Sequence, residues 1–149
     1  MRPQFGKAIL GGFAGTVMLT LMMMFVAPMM GVHMDIAKDL ADMMGTGHAI
    51  GLAAHFMLGT VVFPAVYTFL LFRFLPGTPL VRGLIWGAAL WAMLEIAVMP
   101  MLGMGIFGSN GPGMKGAVAA LLAHLVYGGI LGAIAGAAAA ATAKEANHH

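Results

Sequence analysis

Charged residues along this chain bracket four long apolar runs. Ala8 to Met34, Met43 to Phe72, Gly83 to Met114 and Gly116 to Ala143 each hold at most one Asp, Glu, Lys or Arg. Every run exceeds the roughly 20 residues that cross a hydrocarbon core of about 30 Å as a helix rising about 1.5 Å per residue. The pattern predicts an all-α membrane protein, a single domain over 1–149, with spans over about 5–30, 48–74, 80–104 and 114–141.

Breakers fall between the runs. Pro28 interrupts the outer end of the first span, and residues 33–44 change character. There Asp35, Lys38, Asp39 and Asp42 recur at i, i+3, i+4 and i+7, with Ile36, Ala37, Leu40, Met43 and Met44 on the opposite side. That spacing predicts a short amphipathic helix in the outer interface. Leu75-Pro76-Gly77-Thr78-Pro79 is a tight turn that makes the second and third helices antiparallel neighbours, and Gly108 to Gly113 is an outer loop.

Small residues recur four apart at Gly11 and Gly15, and again at Gly128, Gly132 and Gly136. Such ridges let helix backbones approach closely where lipid removes the hydrophobic drive to associate. The halves also resemble one another: Leu52 to Gly59 and Leu121 to Gly128 share the pattern L-x-A-H-x-x-x-G, and Pro28-Met29-Met30-Gly31 matches Pro100-Met101-Leu102-Gly103. A duplicated hairpin would relate the halves by a pseudo-twofold axis along the membrane normal.

Composition narrows the classes. Of 149 residues 61% are hydrophobic and 8% charged, far from soluble usage. Arg2, Lys7, Arg73, Arg82 and Lys144 lie on one side of the predicted membrane, and Lys38 and Lys115 on the other. The positive-inside rule therefore predicts cytoplasmic termini, and no basic patch supports nucleic-acid binding. The first run is too long for a secretory signal and lacks an A-x-A site, so it reads as a retained span. Absence of cysteine excludes disulfides and thiolate chemistry.

Only three of the His, Asp, Glu, Lys and Arg side chains lie well inside the spans: His55, Glu95 and His124. Such residues are costly in a membrane, so each is a candidate for function. The two histidines suit axial ligation of haem b, or a transition metal such as copper or zinc with Glu95 as a third ligand. The plainer reading is interhelical glue, with each imidazole bonded to Glu95, to Thr20 or to a backbone carbonyl. Of the 16 methionines, 14 lie from the midplane outward, where thioethers could bind Cu(I), although flexible apolar filling accounts for them more simply. A single serine, Ser109, and one intramembrane carboxylate leave no catalytic pair, so an enzyme is not expected.

From the second helix onward, Ala54-His55, the Leu75 to Pro79 turn, Gly83-Leu84-Ile85-Trp86-Gly87-Ala88, Pro100 to Gly103 and Ala123-His124-Leu125-Val126-Tyr127 resemble small bacterial inner-membrane proteins of unknown function of the YagU type. The resemblance implies a multi-pass protein of that membrane and supplies no site residues. The leading expectation is a non-catalytic accessory subunit of a larger membrane assembly, such as a respiratory one, or a homo-oligomer, packed through its glycine faces. The alternatives are a haem- or metal-binding electron-transfer bundle using His55 and His124, and a proton-coupled transporter using Glu95.

Overall fold

The computed structural model describes residues 4–146, with side chains as far as Gly136. Arg2, His148, His149 and the side chain of Lys144 lie outside that range. Among the described residues there are helices and no strands. Four helices are long and apolar enough to cross a membrane: α1 (Phe5–Met29), α3 (His48–Phe74), α4 (Pro79–Met101) and α5, which begins at Gly113 and continues to Ala146. The short α2 (Ile36–Met44) links α1 to α3.

Helix ends follow from local chemistry. Thr78 caps α4, accepting a hydrogen bond from the Val81 amide at 3.3 Å, and Pro79 occupies the first turn, where a missing N–H costs nothing. α4 stops at Met101 and does not reach residue 104, because Gly103 turns left-handed (φ 77°) and the Met104 amide bonds back to Met99 O at 3.0 Å. α1 ends the same way, with Gly31 at φ 78° and the Val32 amide on Ala27 O at 2.9 Å.

Three prolines lie inside spans, and each follows a widened, π-helical turn. The amides of Ala27, Phe63 and Met99 reach back five residues, to Met22, Leu58 and Leu94. Pro28, Pro64 and Pro100 come next. Proline cannot donate to the carbonyl four residues back and its ring displaces it, so the preceding turn widens to keep its own bonds. α5 contains no proline and runs uninterrupted.

α5 packs against both α1 and α4 through glycine. A β-carbon on Gly11 would stand 3.1 Å from Leu131 Cα, and one on Gly132 would stand 2.6 Å from Gly83 Cα. Gly15 abuts Tyr127, Gly128 abuts Gly87, and Gly136 abuts Pro79. Every glycine of the predicted ridges is therefore engaged within the chain. α1 meets α3 where Gly12 lies against Gly59 and Pro64, and the buried Tyr127 Oη donates to Gly59 O at 2.6 Å, tying α5 to α3.

α2 has the expected polar face. Asp35 caps it, accepting from the Lys38 amide at 3.1 Å and from His48 Nε2 at 3.1 Å, while Lys38 pairs with Asp42 at 2.6 Å. The Lys38 amide, with His48, holds the Asp35 carboxyl below the usual carboxylate range, whereas partial burial pushes Asp39 upward. The apolar side does more than meet an interface: Ala37 and Ala41 pack on Gly51 of α3, and Ile36, Leu40 and Met43 turn toward the bundle interior.

Candidate functional site

Beneath α2 the helices enclose a cavity of about 340 Å³ that reaches residues of α1, α3, α4 and α5. His55 and His124, far apart in sequence, both line it. Its remaining surface is apolar, save for the hydroxyl-bearing Thr16 and Tyr127.

Each histidine is held by one ring nitrogen. His124 Nδ1 lies 2.7 Å from Ala120 O, the carbonyl one turn earlier on its own helix. A carbonyl only accepts, so Nδ1 carries the proton and Nε2 of the neutral ring keeps its lone pair. His55 Nε2 lies 2.9 Å from Thr20 Oγ1, whose hydroxyl sits 2.7 Å from Thr16 O. With the threonine proton directed to that carbonyl, His55 donates through Nε2 and keeps its lone pair on Nδ1. The second nitrogen of each ring has no hydrogen-bond partner among the described residues.

The anticipated bonds to Thr20 and to a backbone carbonyl are thus both present, and each uses half of an imidazole's capacity. A ring fixed through one N–H, with its other nitrogen free to coordinate, is how proteins orient histidine ligands.

Glu95 does not join the pair. It is 2% exposed and lies in the widened turn of α4, but it is absent from the cavity lining. It continues the ridge of Gly83, Gly87 and Trp91, which faces α5: Trp91 Nε1 donates to Ala117 O at 2.8 Å. Among the described residues no three His, Asp or Glu side chains gather as a metal cluster, so the expected set of His55, Glu95 and His124 is not brought together. The carboxyl of Glu95 has no hydrogen-bond partner there either.

Four methionines complete the lining: Met23 of α1, Met34 of the linker, Met43 of α2 and Met93 of α4. Sequence spacing gave no sign of this convergence, since no two of them stand three or four residues apart. The role of α2 as a cover was equally hidden, because an amphipathic pattern is the same over lipid and over a cavity. The lining suits a bare cation better than a haem, whose propionates would meet no Lys or Arg there.

These features define an all-helical protein with four helices long and apolar enough to span a membrane, and a cavity lined by two histidines beneath an amphipathic helix. The chain matches the model of DUF6789, a family of unknown function, over residues 3–146, and belongs to that family. No curated protein and no solved structure matches it.

Proposed function

We propose that this protein holds a transition-metal ion inside the membrane, with His55 and His124 as imidazole ligands. The observation that carries this reading is His124, fixed through Nδ1 to Ala120 O at 2.7 Å and left with a free Nε2 beside a second histidine in one cavity. The reading as an accessory subunit drew on glycine ridges available to a partner. Gly11, Gly15, Gly128, Gly132 and Gly136 are all engaged by this chain's own residues, which moves the weight of the proposal from the outer surface to the cavity.

The proposal includes a bacterial inner membrane, supported by the resemblance to proteins of that membrane, and cytoplasmic termini, supported by the Lys and Arg distribution. One histidine per hairpin, and the matching turns at Gly31 and Gly103, support two tandem hairpins about a pseudo-twofold axis.

The test is elemental analysis of the full chain, purified in mild detergent from metal-replete cells, beside His124→Ala and His55→Ala. Stoichiometric metal in the parent protein and its loss from His124→Ala are expected. A metal-free parent, or full occupancy in His124→Ala, overturns the reading.

A second reading rests on Glu95, a buried carboxyl without a partner in a π-helical turn, the kind of local widening that recurs at functional sites. In that reading Glu95 exchanges protons with a transported cation. Glu95→Gln should then abolish the pH dependence of metal uptake into proteoliposomes, and an unchanged pH profile would exclude it.

A further inference from the structure

Resting on the assignment of His55 and His124 as ligands, we infer that the ion is monovalent copper, and that thioethers among Met23, Met34, Met43 and Met93 complete its coordination.

The donor atoms decide the metal. The two lining hydroxyls are neutral, hard oxygens whose protons go to backbone carbonyls: Thr16 Oγ1 donates to Gly12 O and Tyr127 Oη to Gly59 O, each at 2.6 Å. No carboxylate lines the cavity. Its stronger donors are imidazole nitrogen and thioether sulfur, a soft set that favours Cu(I) over Mg, Ca or Mn.

Charge points the same way. Moving an ion from water into a medium of low dielectric costs free energy that grows with the square of its charge. A divalent ion among neutral ligands would face about four times the penalty. A monovalent ion bound by neutral imidazole and thioether leaves a single charge to be stabilised.

Methionine as filler explains any one of these side chains. It does not explain why four of them, from α1, the linker, α2 and α4, line one cavity with two imidazoles that each keep a lone pair. Met34 carries a further implication. It also lines a groove outside the cavity with His33, Asp35, Lys38, Asp39 and Met104, so the groove and the cavity share this residue. Copper would enter there, beneath the acidic start of α2.

The test uses the full chain in detergent, loaded anaerobically with Cu(I) in competition with the chromophoric chelator bicinchoninate, and read in parallel by copper K-edge X-ray absorption. Stoichiometric Cu(I), sulfur in the first shell and no displacement by excess Zn(II) are expected. Met23→Leu, Met34→Leu, Met43→Leu and Met93→Leu combined, which conserve volume, should weaken Cu(I) binding by about tenfold or more. A first shell of nitrogen or oxygen alone, or unchanged affinity in the combined variant, overturns this inference. If metal is then still lost from His124→Ala, the histidine reading stands without it; a chain that binds no metal ends both.

Discussion

Glycine inside a helix ordinarily costs roughly 0.5–1 kcal/mol relative to alanine. At Gly83, Gly87, Gly128 and Gly132 that cost is offset by contact, because two backbones meet where no side chain intervenes. A β-carbon on Gly132 would come within 2.6 Å of Gly83 Cα, well inside the roughly 3.5–4.0 Å at which carbons attract. Gly132→Leu should therefore part α4 from α5, cost about 1–3 kcal/mol as an overpacked contact, and lower the thermal midpoint of the detergent-purified protein. Gly6→Ala, which lies in α1 and meets nothing within 4 Å, serves as the control and should leave the midpoint at or slightly above that of the parent. A midpoint for Gly132→Leu equal to that of Gly6→Ala would mean these helices are not held by backbone contact. Spacing alone exposed Gly128, Gly132 and Gly136 as a ridge, but a ridge has no address. Whether it meets this chain or another depends on which helix lies opposite, and that is set by long-range packing.

At the scale of elements, the apolar runs gave the four spans and the breakers gave their ends to within a few residues. Pro28 and Pro100 were readable as interruptions; Pro64 was passed over, since a proline deep in a span can be absorbed by widening the turn before it. The bond from the Phe63 amide to Leu58 O does this in α3, and Gly59 and Thr60 lie within the widened turn. The carbonyl of Gly59 there accepts from Tyr127 at 2.6 Å, so the widened turn is also where α3 is tied to α5. For α2 the polar face was correctly legible from Asp35, Lys38 and Asp42. Its apolar face was read as resting on lipid, because periodicity records which side is dry and not what keeps it so. The histidines were picked out by their rarity inside spans. The methionines around them were not, because Met23, Met34, Met43 and Met93 share no helical register and are joined only by the fold.

At the scale of the whole molecule, the two ends of the bundle differ in character. Phe5 stacks near Phe69 with ring centroids 5.1 Å apart, and Arg82 Nη1 donates to Phe72 O at 3.4 Å, so Lys7, Arg73 and Arg82 share one end. Arg82 lies 4.5 Å from the centre of the Phe72 ring, and Arg73 lies 4.8 Å from that of Phe74. The other end carries α2 with its capped, ion-paired face, and the cavity lies beneath that helix. On the proposed metal-binding reading, orientation in the membrane decides which compartment supplies the ion. The Lys and Arg bias predicts α2 outside. A chain without cysteine allows a direct test: Ser109→Cys and Pro76→Cys, at opposite ends, each reacted in intact cells with a membrane-impermeant maleimide. Ser109→Cys should label from outside, and Pro76→Cys only after permeabilisation. The reverse pattern would turn α2 and the cavity beneath it toward the cytoplasm. Cu(I) would then be drawn from the reducing side, and the groove at His33 and Asp35 would have to receive it from a cytosolic donor, with the coordination chemistry of the site unchanged.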